Sequence, residues 1–314
     1  MARMKSESRS GFTQNGSEIT GRTGNETLLL LVLLLLFTAA CREKSAGELL
    51  LAATPEAGYG SIGGEWAVIA LSRGDTPVPH SYYDAYLDRL ERTLVQKNGV
   101  LSKVKATDPA RVTLALAALG EDAADFRGFD LVSQLKDVKR DGMQGLNGTI
   151  WSLIALSARD YSDTETVKTA LRSALLAAQN PDGGYGMMPG DASDPDLTAM
   201  ALTALAPCRE DGGAMPAICA AGAYLERVYA AGEMRYSETV SQTLIAYAAL
   251  EERDKAAQMR EELETFRTKN GYLHDREDTE ADAMATEQAA NAIAAYERLL
   301  AGKNALYDMR DADK

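Results

Sequence analysis

The sequence predicts an all-α protein, and three observations support this fold class. Hydrophobic residues make up 46% of the chain and aromatic residues only 6%, and the apolar stretches are rich in alanine and leucine, which favour helices over strands. Six segments rich in small residues recur along the chain. Amphipathic stretches lie between them. Alternation of six inner with six outer helices would give a closed α6/α6 barrel.

Residues 1–40 are predicted to be a signal peptide. An unbroken apolar run covers residues 28–37, which is shorter than the roughly 20 residues that cross a bilayer but typical of the central part of a signal peptide. Small residues follow the run and precede Cys41, an ending similar to a bacterial lipoprotein box, in which the cysteine becomes the lipidated N-terminus. The alternative is simple cleavage after Ala40. We therefore expect an exported protein at the bacterial surface, attached to the membrane only by lipid or else secreted.

The six small-residue segments are the predicted inner helices. Each has a polar or glycine-rich entry and ends in a pair similar to Ala-Leu. They begin at Gly63, Asp108, Asn147, Asp194, Ser237 and Ala285. Leucines near the ends of the first five, at positions 71, 119, 156, 205 and 250, are spaced by 48, 37, 49 and 45 residues. A period in that range indicates a helical-repeat architecture.

The amphipathic stretches between these segments are the predicted outer helices. Most carry charges on one face and Leu, Tyr or Val on the other, the pattern of a helix that buries a single face. They cover residues 45–53, 81–96, 129–135, 164–178, 216–231 and 254–268. We expect one domain over residues 45–309, followed by a short tail at 310–314, and a monomer.

Several motifs resemble a known repeat family. QNPDGGYG at 179–186 resembles the Gln, Asp-Gly-Gly, aromatic signature of squalene cyclases and prenyltransferase β-subunits. SDPDLTAMALTALAP at 193–207 resembles the Asp-rich strip of class II terpene cyclases. The entries GSIGGEW, QGLNGTIW and MATEQ and the tail GKNALYDM at 302–309 look like bacterial surface proteins with prenyltransferase and squalene oxidase repeats. The resemblance implies an α/α toroid, a fold also similar to the α-domain of cobalamin carriers.

The aspartates of the second motif have two interpretations. In class II cyclases the middle carboxylic acid of the strip is kept protonated and protonates an alkene or epoxide. On this sequence the first acid is Asp194 and the proton donor is Asp196, while Leu197 stands where a third acid is expected. The resemblance therefore implies a terpene-cyclase-like acid catalyst as one alternative. The other is an N-terminal helix cap, which Asp followed by Pro195 favours.

Parallel inner helices would bring their N-terminal entries to a single mouth. Convergent polar groups around a concave, partly aromatic opening are the default expectation for a binding site. The residues predicted to line this mouth are Glu65, Trp66, Asp108, Arg111, Asn147, Trp151, Asp194, Asp196, Glu238, Gln242, Glu287 and Gln288. Each acid could instead stabilise a first helical turn, and the two tryptophans could be packing anchors. The leading hypothesis is a non-catalytic protein that binds a small molecule, peptide or envelope protein at this mouth.

Composition argues against several partners and cofactors. A net charge of -13 and a pI near 4.8 oppose binding to nucleic acid or to anionic lipid surfaces, which favour basic proteins. With only His80 and His274 in the chain, a zinc site of the usual ligands is hard to assemble. We expect no metal and no cofactor, although the resemblance allows cobalamin as a ligand. Cys208 and Cys219 are compatible with a disulfide or with two separate thiols.

Overall fold

The computed structural model describes residues 42–137, 139, 142–210 and 213–312. The predicted signal peptide and Cys41 lie outside these residues. All of the helices named below belong to one unit, Lys44–Lys314. Within the described ranges, no helix has the length and apolar character needed to cross a membrane.

Eleven α-helices and no β-strand occur among the described residues, which confirms the all-α prediction. The remaining regular structure consists of short helical turns and isolated β-bridges. The helices are α1 (Ala46–Ala53), α2 (Trp66–Arg73), α3 (His80–Gln96), α4 (Thr107–Ala118), α5 (Leu146–Ser157), α6 (Glu165–Ala177), α7 (Pro195–Leu205), α8 (Met215–Ala230), α9 (Ser237–Ala249), α10 (Arg253–Glu264) and α11 (Ala283–Leu300).

Each of the six small-residue segments forms a helix. We call these the inner helices: α2, α4, α5, α7, α9 and α11. They are buried around most of their circumference; in α9, every residue from Ser237 to Ala248 is buried. Alanine and threonine allow this because they let neighbouring backbones approach closely, as the close packing of protein interiors requires.

The contacts between inner helices form a series that returns to its start. Helix α2 packs on α4, α4 on α5, α5 on α7, α7 on α9, and α9 on α11, and α11 packs on α2. Hydrogen bonds join the last helix to the first along their length. Asn291 Nδ2 donates to the Trp66 carbonyl at 3.0 Å, and Arg298 Nη1 donates to the Arg73 carbonyl at 3.4 Å. Residues more than 200 positions apart in sequence are thus direct neighbours.

The other five helices bury one face each, as predicted for outer helices. In α3 the buried stripe is Tyr82, Tyr86, Leu90 and Leu94, a spacing of four that keeps all these side chains on one side of a helix. Helices α6, α8 and α10 pack on the inner helices α5, α7 and α9, respectively, and α1 packs on α2 and α11.

The predicted outer helix at 129–135 is wrong. Only a 3-10 turn, Ser133–Leu135, forms there. Phe129 pairs with Phe126 in a β-bridge, and the Asp130 side chain accepts a hydrogen bond from the Ser133 backbone N at 2.8 Å, so the chain is extended until just before the turn. Its leucines still fill the core, because Leu131 and Leu135 are fully buried.

The chain after α11 crosses the C-terminal ends of inner helices. Arg73, the last residue of α2, donates to the carbonyls of Leu306 and Asp308 at 3.2 and 2.8 Å, and the Met309 backbone N donates to the Ala158 carbonyl at 2.9 Å. A final turn, Met309–Asp311, places Asp311 2.7 Å from Arg73. The predicted boundary at 309 therefore falls inside a structured segment, which continues to this turn.

Candidate functional site

The first turns of the inner helices and the loops before them lie together, and we call this region the N-terminal face. Each pair of neighbouring inner helices makes a contact there. The contacts join Glu65 with Arg111, Thr107 with Gln144, Leu146 with Met187, Asp196 with Thr239, Gln242 with Gln288, and Gly63 with Glu287. Six of these contacting residues belong to the predicted mouth set, namely Glu65, Arg111, Asp196, Gln242, Glu287 and Gln288, and a seventh mouth residue, Asp108, lies next to Thr107.

The most enclosed ion pair of this face joins Glu65 and Arg111. Glu65 is fully buried, and its Oε2 accepts a hydrogen bond from Arg111 Nε at 2.7 Å. Tyr86 and the Gly60 backbone N also donate to this carboxylate, while Asp108 lies 3.3 Å from the other side of the guanidinium. Burial raises the pKa of Glu65, and Arg111 opposes that rise. Because its acceptors are occupied, this pair joins α2 to α4 and is closed to a ligand.

Glu287 is buried with only part of its carboxylate satisfied. Its side chain is 2% exposed, and Oε2 accepts a hydrogen bond from the Gly63 backbone N at 3.2 Å. Its Oε1 and the hydroxyl of Tyr82 are both buried without a partner in the part of the chain that the structure describes. Burial, and to a lesser degree Glu65, raises the pKa of Glu287 to about 7. Unsatisfied buried polar atoms are uncommon in proteins and require an explanation.

Asp194 is a helix cap, as one of the two interpretations predicts. Its side chain accepts a hydrogen bond from the Leu197 backbone N at 2.9 Å, and Pro195 occupies the first helical position. The glycine-rich loop before it is fastened to the same turn, since the Tyr185 backbone N donates to Thr198 Oγ1 at 2.9 Å. Gly183 in that loop has a φ of 89°, which favours glycine.

The same construction recurs before α11. Asp282 caps this helix by accepting from the Ala285 backbone N at 2.9 Å, and the Tyr272 backbone N donates to Thr286 Oγ1 at 2.9 Å. The sequence motif at 179–186 is thus half of a structural repeat whose role is to attach a loop to an inner helix.

Asp196 does not have the capping role. It is half-buried and lies close enough to Thr239 on the neighbouring α9 for that hydroxyl to lower its pKa. Its pKa is raised to about 6, mainly by burial and also by Asp194 and Glu238, while Thr239 and His274 act in the opposite direction. Asp196 is therefore a weak acid held close to two other carboxyl groups.

Glu238 and His274 complete this acidic group. Glu238 is 4% exposed; its Oε2 lies 2.9 Å from His274 Nδ1, whereas its Oε1 is buried with no partner among the described residues. Glu238 raises the pKa of His274, and the imidazole stacks on Tyr236 at a centroid distance of 4.5 Å. Sequence analysis did not assign His274 to the site, because it lies in a loop rather than at an inner-helix entry.

The two tryptophans form an aromatic cluster between helices that are not neighbours in the series. The rings of Trp66 on α2 and Trp151 on α5 are 4.6 Å apart, and Tyr307 lies 6.3 and 5.6 Å from them. The tryptophans were predicted either to line the mouth or to be packing anchors, and these ring contacts favour packing. Asn147, the remaining mouth residue, is half-buried one turn before Trp151. Tyr307 was missed because it follows α11 in a segment without helical periodicity.

Exposed apolar side chains occur beside the entries of the inner helices, and we call them the rim of the N-terminal face. Large exposed hydrophobic side chains are informative when they cluster. The rim residues lie in the loops or first turns that lead into inner helices, and they are Ile62, Val104, Met143, Met187, Met188, Tyr236 and Met284. Their exposure ranges from 38% for Met284 to 65% for Met143. The sequence signal that could have identified them is the set of methionines beside the repeat glycines.

A cavity of about 770 Å³ lies at the opposite ends of the inner helices. We call it the C-terminal cavity. It is lined by the last turns of α5, α7, α9 and α11 and by the segment after α11, and none of the predicted mouth residues contributes to it. Sequence analysis did not predict this cavity, since its lining combines helix ends with a tail whose path is not periodic.

Cys208 and Cys219 are free thiols, half-buried and exposed, respectively. Of the two alternatives for this pair, the structure therefore has separate thiols and not a disulfide. In the described ranges, no group of three or more His, Cys, Asp or Glu residues is arranged to hold a metal ion.

No protein-family model matches the chain, and no curated protein matches it. The motifs described above therefore remain the basis of its resemblance to toroid proteins.

Proposed function

We propose that this chain is an exported, non-catalytic α/α toroid whose N-terminal face binds a protein or peptide segment carrying cationic and apolar side chains. The returning series of inner-helix contacts supports the closed fold. The toroid arrangement is supported by five outer helices. The turn Ser133–Leu135, with its buried leucine, takes the place of the sixth. The apolar run at 28–37 and Cys41 support export to the bacterial surface, with lipid attachment as the anchor.

The observation that carries the binding proposal is the combination of buried carboxylates with an apolar rim. Glu238 and Glu287 each retain a buried oxygen without a partner among the described residues, and Asp196 adds a third acid with a raised pKa. An ammonium or guanidinium group at this face would be attracted by the buried carboxylates and could hydrogen-bond to the half-buried Asp196, and charge-assisted hydrogen bonds of this kind are the strong ones.

The rim is proposed to contact the apolar side chains of the partner. Methionine side chains are flexible and polarizable, so they adapt to partners of different shape. Met143, Met187 and Met188 are exposed by 65%, 45% and 49%, respectively. Their burial would contribute about 25 cal/mol per Å² of apolar surface removed from water. A partner with alternating basic and apolar side chains would satisfy both parts of the face.

Acid catalysis by Asp196 is the second candidate function. The observation in its favour is the pKa of about 6, which leaves part of the carboxyl protonated near neutral pH. Leu197 still occupies the position of a third acid, and Asp196 does not line the C-terminal cavity. Incubation with squalene, oxidosqualene and geranylgeranyl diphosphate tests this candidate. Cyclised product that is formed by the wild type and lost in Asp196→Asn would establish the enzyme and contradict our proposal.

The binding proposal is tested by fluorescence polarisation with residues 42–314 and three labelled peptides. The peptides alternate Lys with Leu, Glu with Leu, or Lys with Ser. We expect the Lys-Leu peptide to bind more tightly than either of the others, because only it matches both the acids and the rim.

Two variants locate the binding. Met187→Ser combined with Met188→Ser removes part of the rim and should weaken the Lys-Leu peptide severalfold. Leu300→Ser removes a comparably exposed apolar side chain at the other end of α11 and should have no effect. Equal binding of all three peptides, or equal loss in both variants, would contradict the proposal.

A further inference from the structure

The C-terminal cavity exists because the segment after α11 covers only part of the inner-helix ends. The turn Met309–Asp311 packs against α4, and Arg73 holds the same segment over the end of α2. The ends of α5, α7, α9 and α11 are left beside the cavity. Its volume of about 770 Å³ lies in the range of small-molecule sites.

The charge of the cavity lining differs from that of the whole chain. Its cationic residues are Arg159, Lys168, Arg172, Arg209, Arg253, Lys303 and Arg310, and its acidic residues are Asp160, Glu165, Glu210, Glu251 and Asp308. The lining therefore has two more cations than acids, whereas the chain has 46 acidic and 33 basic residues. Low-dielectric walls strengthen the field of such charges on a ligand inside a cavity.

Two of these cations make no ion pair with a carboxylate among the described residues. Arg253 Nη2 donates to the Leu299 carbonyl at the end of α11 at 3.0 Å. Arg159 donates through Nη2 to the Ala312 carbonyl, and its Nε is buried without a partner in the described part of the chain. By contrast, Arg209 pairs with Glu251 at 2.6 Å. Each guanidinium has five N–H donors, so one carbonyl bond leaves most of them available.

Helix C-termini carry partial negative charge, which disfavours an anion. Arg209 and Arg253 already donate to the terminal carbonyls of α9 and α11, so this negative charge is offset by cations within the lining. The helix ends therefore hold the guanidinium groups of Arg209 and Arg253, whereas Arg159 is held by the Ala312 carbonyl. Such preorganised donors bind a ligand at a lower cost in side-chain ordering.

Apolar side chains line another part of the cavity. Leu153, Ile154, Ile245 and Leu306 line it, as does Tyr307, which also contacts the tryptophan cluster. A ligand that matches this lining has an apolar body and an anionic group. We infer that the C-terminal cavity binds a small amphipathic anion, with its carboxylate or phosphate at Arg159 or Arg253, two lining cations without an ion pair among the described residues. This site is separate from the N-terminal face and rests on no part of the proposed function.

Isothermal titration calorimetry with residues 42–314 tests the inference with four probes that share one alkyl chain. Decanoate and decyl phosphate should each bind with a stoichiometry of one, and the comparison between them distinguishes a carboxylate from a phosphate ligand. Decyltrimethylammonium and decanol should bind at least about tenfold more weakly, because they lack the charge-assisted hydrogen bonds.

Three variants place the binding in the cavity. Arg159→Gln or Arg253→Gln, whichever removes the cation that holds the anion, should weaken anion binding by about tenfold or more, and Ser157→Trp should block it by filling the space beside α5. Arg92→Gln, the same charge change at an exposed position of α3, is the control and should leave affinity unchanged. Circular dichroism confirms that each variant is folded. Absent binding of both anions, equal binding of the cation, or undiminished binding by folded Ser157→Trp would overturn the inference.

Discussion

The two ends of the inner helices carry opposite charges. At the N-terminal face the buried ionisable groups are mainly acids, including Glu65, Glu238 and Glu287. At the other end Arg73 and Arg298 are buried, and each donates to main-chain carbonyls. Parallel helices explain the difference, because helix N-termini favour anions and C-termini favour cations. A chain with a net charge of -13 can thus present one face to cationic partners and one cavity to anionic ligands.

The ends also differ in how completely they are packed. Glu65, Arg111 and Tyr86 form an enclosed group at the N-terminal face, whereas the C-terminal ends of four inner helices border a cavity. At the N-terminal face, Glu238 and Glu287 each keep one buried carboxylate oxygen without a partner among the described residues. These are single atoms and not an open space like the C-terminal cavity. We therefore expect stability to depend most on the first end and small-molecule binding to depend on the second.

The largest expected effect on stability comes from breaking the Glu65–Arg111 pair. Arg111→Met leaves the carboxylate of Glu65 buried and without its cation, which should lower the free energy of unfolding by about 3–5 kcal/mol. Lys255→Met removes one partner of the exposed Lys255–Glu226 pair and should cost at most about 1 kcal/mol. Urea unfolding followed by circular dichroism measures both.

A double variant separates the charge from the packing. Glu65→Gln combined with Arg111→Met removes the stranded charge and should recover part of the lost stability. If Arg111→Met were no more damaging than Lys255→Met, the enclosed ionic group would not be a stabilising feature of the N-terminal face.

A smaller and pH-dependent effect is expected at Glu287. Its pKa is raised by burial to about 7 in the folded state, from an ordinary value of 4.5. The protonated form therefore favours folding, and this contribution is present below about pH 4.5 and lost as pH rises through 7. Glu287→Gln imitates the protonated form. It should raise the free energy of unfolding by roughly 1–3 kcal/mol at pH 8 and have little effect near pH 4.5.

Thermal unfolding at several pH values measures this effect. Glu261→Gln, at an exposed position of α10, is the matched control and should behave as the wild type throughout. A Glu287→Gln protein that is less stable than the wild type at pH 8 would show that the ionised carboxylate stabilises the fold.

Much of the helical framework could be predicted from the sequence. Period and composition gave all six inner helices and five of the outer ones, because small-residue and amphipathic patterns extend over several turns. The segment at 129–135 failed because it spans less than two helical turns, and the local contacts of Phe129 and Asp130 determine its conformation. In a short apolar segment, the periodicity of the sequence does not distinguish a helix from another conformation.

The site was predictable only in part. The parallel inner helices implied contacts between neighbouring helix entries, and the structure has such contacts at Glu65 with Arg111 and at Asp196 with Thr239. Pattern alone could not indicate that His274 approaches Glu238 or that Tyr307 reaches the tryptophans. Both residues lie in irregular segments whose positions depend on long-range packing. The C-terminal cavity depends on the same packing.

The central claim is that the inner helices close on themselves, with α11 against α2. A β-carbon built on Gly74, just after α2, would lie 3.6 Å from that of Ala294 on α11, within the range of a disulfide. The test is oxidation of Gly74→Cys/Ala294→Cys in residues 42–314 with Cys208→Ser and Cys219→Ser, followed by mass spectrometry of tryptic peptides. Because the new β-carbon at position 74 must clear the Ala70 carbonyl, 2.9 Å away, circular dichroism first checks that the variant folds as the wild type does.

The control pairs Gly74→Cys with Ala248→Cys, at the end of α9 instead of α11. The account predicts a cross-linked peptide joining the segments around 74 and 294, and none in the control. Folded Gly74→Cys/Ala294→Cys protein that keeps both thiols free after oxidation, or that cross-links no better than the control, would contradict closure.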